Sequence, residues 1–281
     1  MNRKESCDGR APGADGSLAI DAASTVRVLV EFIRAGMERA GKRDLLVGLS
    51  GGIDSAVATF LAARALDPES VHCLLMPYRS SSAGSVEDAE RIVEQLGVRS
   101  ETIDITPMVD AFSDVAGPVD RLRLGNVMAR ARMILLFDRS AAHDGLVLGT
   151  SNKTELLLGY GTLFGDMACA VNPLGDLYKT QVRLMARAVG VPEAIIRKPP
   201  SADLWAGQTD EGELGFTYAE VDKLLYLLVD ERYSPEEAVA TGFDAQFVDA
   251  VVRRVRSSQF KRMPPIIAKV SRRDVGHDFL Y

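Results

Sequence analysis

Residues Leu45–Ser55 read LLVGLSGGIDS. A short apolar run ends in a Ser-Gly-Gly turn, and a helix-compatible stretch continues from Ile53 to Leu66. The run has the length of a strand buried on both faces. Gly51 and Gly52 permit positive φ angles and close approach to the backbone. Successive N–H groups point into such a turn, and the helix that follows adds the positive end of its dipole. Gly48, Leu49, Ser50, Gly51, Gly52, Ile53, Asp54 and Ser55 therefore make a cradle for phosphate oxygens, to which the two serines add hydroxyl donors. The lysine that reaches the outer phosphates in a Walker A loop is missing, and Asp54 stands in its place. A carboxylate beside a polyphosphate repels it unless a cation intervenes, so Asp54 points to Mg²⁺ held by oxygen ligands.

The same alternation of short apolar runs and helical patterns extends on both sides. Val26, Leu29, Val30, Ile33 and Met37 share one helical face. Val71–Met76 reads as a second strand, and Val86, Ala89, Val93 and Leu96 line a helix that Gly97 ends. Val98–Ile105 is a weaker strand, Asp120–Ala142 a long helix, and Leu146–Gly149 a further strand. Buried strands separated by helices predict an α/β fold: a doubly wound parallel sheet of about five strands, with helices on both faces and right-handed crossovers. After residue 150 the pattern changes. A glycine-rich stretch covers Gly159–Gly175, a helix covers Tyr178–Val189, and the Pro/Gly/polar segment Lys198–Gly215 has the length of a lid or binding loop. Val221, Leu224, Leu225 and Leu228 share a face in a helical C-terminal region. Residues 1–17 read as a loose polar tail, and residues 18–281 as a single domain.

Composition narrows the function. Lys and Arg number 33 against 39 Asp and Glu, a net charge of −6. That balance argues against a general nucleic-acid binder, which needs a basic footprint. No apolar run approaches the ~18 residues of a membrane span, and the N-terminus lacks the apolar core of a signal peptide. Cys7, Cys73 and Cys169 are widely spaced, which fits a reducing cytoplasm and no thiolate zinc site. His72, His143 and His277 are too scattered in sequence to suggest a histidine metal cluster. Chemistry is left to carboxylates, cations and backbone.

The SGGIDS stretch resembles the signature of the PP-loop ATP pyrophosphatases, which cleave ATP between its α- and β-phosphates to make an adenylate. The remainder of the chain is similar to one branch of that superfamily, the NAD synthetases. The matching segments are GNVMARARM (Gly125–Met133), GTSNKTE (Gly149–Glu155), GYGTLFGDM (Gly159–Met167), PLGDLYKTQV (Pro173–Val182), KPPSADLWAGQTDEGELG (Lys198–Gly215) and FKRMPP (Phe260–Pro265), in family order.

The bottom-up reading of these segments agrees. Glu155 follows the strand ending in Gly149 as Asp54 follows the strand ending in Leu49. Carboxylates at the C-terminal ends of two parallel strands converge where such sheets bind ligands. The resemblance implies Glu155 as the second Mg²⁺ ligand beside Asp54, Thr150 and Ser201 as hydroxyl contacts to ATP, and Lys179 on the ATP phosphates. Lys179 stands at a helix start, where a cation is awkward unless an anion is near. The resemblance also implies Arg130 and Lys261 on the deamido-NAD side. Arg132 points elsewhere on the helix and reads as a structural ion-pair partner. Many ammonia-using members carry GxFTKYGDGGxD, whose Lys and final Asp touch deamido-NAD. Here those positions are Leu163 and Ala170, and Phe260 replaces the usual His before Lys261. Trp205, in the lid-like segment, either covers a ring or anchors the loop. Asp166 is a candidate to orient the incoming amine.

The reaction implied is amidation of deamido-NAD in two steps: adenylation of its carboxylate by ATP, then attack by ammonia, giving NAD, AMP and pyrophosphate. No Ser/His/Asp or Cys/His set is needed. Only 47 residues precede Gly48, too few for a glutaminase domain, so the expected nitrogen source is ammonia, free or delivered by a separate chain. The resemblance further implies a homodimer, with the Val26–Met37 and Asp120–Ala142 helices as candidate surfaces. The competing readings are another PP-loop amide-forming or thiolating enzyme, and a nucleotide-binding module without chemistry.

Overall fold

The computed structural model describes residues 18–272 apart from 202, 206, 264, 266 and 271. The expected tail at 1–17, with Cys7, lies outside the described residues, as does His277. The first half runs α1 (Ala22–Ala40), β1 (Leu45–Gly48), α2 (Ile53–Ala65), β2 (Val71–Leu75), α3 (Ala83–Leu96), β3 (Arg99–Thr102), α4 (Thr106–Ala116), α5 (Arg121–Ala142) and β4 (Leu146–Leu148). The second half is helical: α6 (Lys153–Leu158), α7 (Lys179–Val189), α8 (Glu193–Arg197), α9 (Asp210–Leu214), α10 (Tyr218–Leu225), α11 (Pro235–Ala240) and α12 (Ala245–Ser257).

The strands form a parallel sheet in the order β3-β2-β1-β4. Four strands are present among the described residues where about five were expected. The fifth is reduced to one bridge, Leu148 to Val171. The glycine-rich segment around Val171 passes alongside β4, and Ala170 and Val171 both donate to the Val147 carbonyl. Burial explains which strands were easiest to read. Leu45, Leu46 and Val47 of β1 are fully buried, as is β2, whereas all four residues of β3 are exposed at the sheet edge.

Both faces are covered, as a doubly wound sheet requires. On one face Ile33, Val47, Val57, Leu61, Val182 and Met185 join α1, α2 and α7 to the strands. On the other, Leu46, Leu74, Val109, Met128 and Ala131 pack α4 and α5. A third cluster, containing Leu158, Tyr178, Tyr218, Leu224 and Val251, builds the C-terminal helices onto the end of α6 and the start of α7. Leu228 falls in a π-helical turn, Tyr226–Asp230. The wider turn puts Leu227 rather than Leu228 at the fully buried position.

The crossovers from β1 lead to β2 on one side, and β4 lies on the other. The strand order therefore reverses between β1 and β4, which is the position where open α/β sheets bind ligands. Two loops leave the sheet at that crevice: Leu49–Gly52 into α2, and Gly149–Asn152 into α6.

Candidate active site

The turn after β1 is held by its own serines. Ser50 N donates to Ser55 Oγ at 3.2 Å, the two hydroxyls lie 3.0 Å apart, and Ser55 Oγ reaches the Gly52 carbonyl at 3.0 Å. Gly51 takes φ +77°, and a Cβ there would lie 2.1 Å from the Ser85 carbonyl oxygen, so the position admits only glycine without rearrangement. Gly52 caps α2 without a side-chain hydrogen bond. The first N–H groups of α2 have no intrahelical partner and open with the turn onto a cavity of about 850 Å³.

Asp54 in the first turn of α2 and Glu155 in the first turn of α6 converge on one lysine. Lys179 Nζ lies 2.5 Å from Asp54 Oδ2 and 3.0 Å from Glu155 Oε1. Asn152 completes the cluster, donating its Nδ2 to Asp54 Oδ1 at 2.9 Å. The same residue forms a capping box with Glu155. One asparagine thus sets both acids. Lys179 is 2% exposed. Its backbone N–H donates to Thr154 Oγ1, and its ammonium lies 5.1 Å from the centre of the Tyr218 ring. Burial alone would depress Lys179, but Asp54 and Glu155 outweigh it and hold the ammonium charged. Glu155 is pushed up to about 7: burial raises it, Lys179 pulls it down, and Asp54 raises it again.

A second acidic layer lies behind. Asp210 lies 3.1 Å from the hydroxyls of both Tyr160 and Tyr218, and the one Tyr160 proton is shared with Glu213 at 2.9 Å. Burial raises the Asp210 carboxyl. The Lys198–Gly215 segment roofs the cavity. Asp203 Oδ2 accepts from Ser82 N at 3.0 Å, and the Leu204 carbonyl accepts from Ser80 Oγ at 3.1 Å. Lys198 reaches Ser85 Oγ at 3.0 Å and Asp88 at 3.2 Å. Trp205 lines the cavity and packs near Gly125.

Of the residues singled out in sequence, Gly48, Leu49, Ser50, Gly52, Ile53, Asp54, Ser55, Thr150, Glu155, Lys179, Ser201 and Lys261 line this cavity. Gly51 shapes the turn from behind. Arg130, Leu163, Ala170 and Phe260 do not line it. Arg130 instead donates to the Leu163 carbonyl, at 3.3 Å from Nε and 3.2 Å from Nη2. Ala170 and Phe260 are exposed. Lys261 Nζ binds the carbonyls of Gly159 and Gly161 at 2.8 and 2.7 Å, pinning the glycine loop against the site. Arg132 requires a correction. It lines the cavity and donates to the Met76 carbonyl at 3.0 Å, and no ion pair holds it among the described residues. The two-residue step from Arg130 turns it about 200° around α5, from the outer side to the inner one.

Asn152, Asp210, Tyr160 and Arg132 were missed in sequence as site residues. The Asn152-x-x-Glu155 spacing is a capping-box pattern and could have revealed the first. Asp210 and Tyr160 meet only through tertiary packing.

The chain as a whole is similar to known proteins. A family model described as NAD synthase matches residues 25–265. The chain belongs to that family. It is 56% identical over 255 residues to an NH3-dependent NAD(+) synthetase of Trichlorobacter lovleyi, covering 91% of this chain and 93% of that protein. Among solved structures, the NH3-dependent NAD synthetase of Campylobacter jejuni superposes with a TM-score of 0.77 at 35% identity, covering 89% of this chain and 100% of that one. An NMN synthetase of Francisella tularensis gives 0.79 at 31%, covering 89% and 99%. The NAD synthase match agrees with the parallel sheet, the turn and the paired acids. Among the described residues, no helix is long and apolar enough to cross a membrane.

Proposed function

We propose that the protein is an ammonia-dependent NAD synthetase, amidating the nicotinate carboxylate of deamido-NAD at the expense of ATP. The observation that carries this reading is the convergence of Asp54, Glu155 and Lys179 beside an anion-binding turn at the sheet's switch point. A carboxylate does not exchange its oxygen for ammonia, because oxide is a poor leaving group. Attack of that carboxylate on the α-phosphorus of ATP expels pyrophosphate and converts the oxygen to part of AMP. Ammonia then attacks the acyl carbon, and AMP leaves.

In this reading the turn N–H groups and the Ser50 and Ser55 hydroxyls hold phosphate oxygens, with Thr150 and Ser201 contacting ATP from facing walls. Lys179 offsets charge on the departing pyrophosphate, and its burial strengthens that attraction. The donor set fits Mg²⁺: Asp54 and Glu155 offer hard carboxylate oxygens on one locus, and the pair outweighs the single ammonium between them. Those two residues would hold the ion, which would neutralise polyphosphate charge when bound. Catalysis is positioning and electrostatics, with no covalent nucleophile. Asp166 lines the cavity with its Oδ1 accepting from Thr162 N at 2.7 Å, where its free oxygen can receive the incoming amine.

The substrate side is read as shared between two copies. Leu122, Ile134 and Phe137 on α5 and Phe112 and Val115 on α4 are exposed apolar side chains. Arg130 on α5 and Leu163, whose carbonyl Arg130 holds, sit outside the cavity in the same region. A homodimer covering this face would complete the deamido-NAD pocket, with Arg130, Lys261 and the Leu163–Ala170 loop contributing from either side and Phe260 offering an exposed ring. Residues 18–281 then act as one catalytic unit, in the cytoplasm, with ammonia taken free or from a separate chain.

The test is pyrophosphate release by the pure protein with ATP, Mg²⁺ and ammonium. Release that requires deamido-NAD, with NAD formed, supports the reading. ATP binding without turnover supports a nucleotide-binding module instead. Nicotinate mononucleotide is the comparison substrate, given the NMN synthetase neighbour, and preferential turnover of it would replace deamido-NAD. Glutamine supporting turnover as well as ammonium would overturn the nitrogen source.

A further inference from the structure

We propose that Asp44, His72 and His143 form a site for a zinc-class divalent transition metal at the end of the sheet opposite the phosphate turn. One donor atom from each of the three side chains lies within 4.8 Å of the other two. They come from separate elements: Asp44 immediately precedes β1, His72 lies in β2, and His143 caps the C-terminus of α5. Two of the chain's three histidines, 71 residues apart in sequence, thus meet at one point.

The geometry is close to a ligand set. His72 Nε2 and Asp44 Oδ2 stand 3.1 Å apart, near the ~3.3 Å that separates two ligands of a tetrahedral zinc with bonds of about 2.0 Å. The rings of His72 and His143 have centroids 4.3 Å apart and are tilted by 44°. His72 is buried, and the Asp44 backbone is pinned by Leu146 N donating to its carbonyl at 2.9 Å. His143 is exposed, so its imidazole can turn to close the remaining gap without disturbing the core. A separate cavity of about 470 Å³ borders both histidines, on a side that Asp44 does not line, and gives room there for a water ligand.

Charge is compatible as well. The site lies at the carbonyl end of the 22-residue α5, where the helix dipole favours a cation. The two nearby arginines are committed elsewhere. Arg139 makes a two-pronged pair with Glu101 at 2.7 and 2.8 Å, and Arg99 lies 3.7 Å from Glu69. Two imidazoles with one carboxylate select zinc and its neighbours over Mg²⁺, which takes oxygen ligands. The ion would join the starts of β1 and β2 to the α5–β4 turn, and its effect would be on stability rather than on the reaction.

The experiment is equilibrium dialysis of the metal-stripped full chain against Zn²⁺, with excess Mg²⁺ present to occupy the oxygen-only acids. Thermal unfolding is followed with and without Zn²⁺. The expected result is one bound zinc at micromolar free metal and a raised Tm. In His143→Ala the affinity falls about tenfold or more and the Tm shift disappears. Asp44→Asn, a near-isosteric change, repeats the loss independently. Amidation by zinc-free His143→Ala, assayed with Mg²⁺, stays at the rate of the zinc-free wild-type chain. No zinc uptake by the wild-type chain, or uptake and Tm shift unchanged in both variants, overturns the proposal.

Discussion

The two ends of one parallel sheet handle cations by opposite means. At the C-terminal end, α2, α6 and α7 all begin, so their N–H groups point into the crevice and favour anions. Asp54 and Glu155 sit there against the intrinsic field of the fold only in part, because a carboxylate at a helix N-terminus is itself stabilised. What destabilises Glu155 is first its burial and then the charge of Asp54, and Lys179 works against both. At the other end, α5 terminates and presents carbonyls, and the side chains are two imidazoles and one acid. Strand direction thus divides the molecule into an oxygen-and-ammonium site for phosphates and a nitrogen-and-oxygen site for a softer metal. The difference follows from parallel βα topology, in which every helix starts at the same edge.

The largest effect that could break this contrast is at Lys179. Lys179→Met removes the ammonium from two buried carboxylates and leaves them uncompensated, a situation that costs about 3–5 kcal/mol. The expected outcome is a lower Tm by thermal unfolding, together with loss of pyrophosphate release by at least ~10³-fold from lost charge stabilisation. A stable, active Lys179→Met would show that the ammonium is dispensable and that the acids are not its clients. Next in size is Asp54→Asn, which keeps the shape and one acceptor. Turnover is expected to drop by about 10²–10³-fold, against no change for His143→Ala. Reversal of that order in a pyrophosphate assay would exchange the roles of the two ends.

Much of this was legible before any fold was known, because the phosphate end is written contiguously. Strand, Ser-Gly-Gly turn and Asp54 occupy ten consecutive residues, and their chemistry is local backbone chemistry. Glu155 could be matched to Asp54 because each follows an apolar strand by a few residues. The opposite end was not legible: Asp44, His72 and His143 carry no motif, and only strand pairing brings them together. Arg132 was misjudged because the helical phase of α5 depends on which side the sheet lies. β3 and the missing fifth strand were the weakest elements for a related reason. An edge strand with four exposed residues lacks the apolar run that marked β1 and β2, and a single bridge at Val171 has no periodicity to read.

A smaller effect sharpens the geometry of the turn. Gly51→Ala forces a side chain into φ +77° and against the Ser85 carbonyl at 2.1 Å, so either the turn or α3 must shift. Backbone strain of this kind costs about 1–3 kcal/mol. The KM for ATP is expected to rise about tenfold or more, read from initial rates at saturating ammonium. Gly41→Ala is the control, because it also has positive φ, at +64°, but nothing within 4 Å and no place in the cavity. It is expected to lose stability from the φ strain alone, less than Gly51→Ala, with no change in KM. Equal KM changes in both would mean that strain, not phosphate approach, makes Gly51 necessary.

The mildest test is pH. The Glu155 carboxyl is raised from an ordinary value near 4.5 to about 7, first by burial and then, against Lys179, by Asp54. Its ionised form is the one that would ligate Mg²⁺. The affinity of the free protein for Mg²⁺ is therefore expected to be flat above about pH 8 and to weaken below 7, approaching tenfold per pH unit. Stability without Mg²⁺ moves the other way. A carboxyl whose folded pKa exceeds its unfolded one contributes most below the unfolded value, and that contribution is lost as pH rises through about 7. Titrating Mg²⁺ by calorimetry and unfolding the metal-free protein over the same window should give opposite slopes. Glu155→Gln should flatten this component of both. Parallel slopes in the wild-type chain would show that Glu155 is not the group that titrates. The acidic end of the sheet would then owe its pH response to Asp210, which burial also raises.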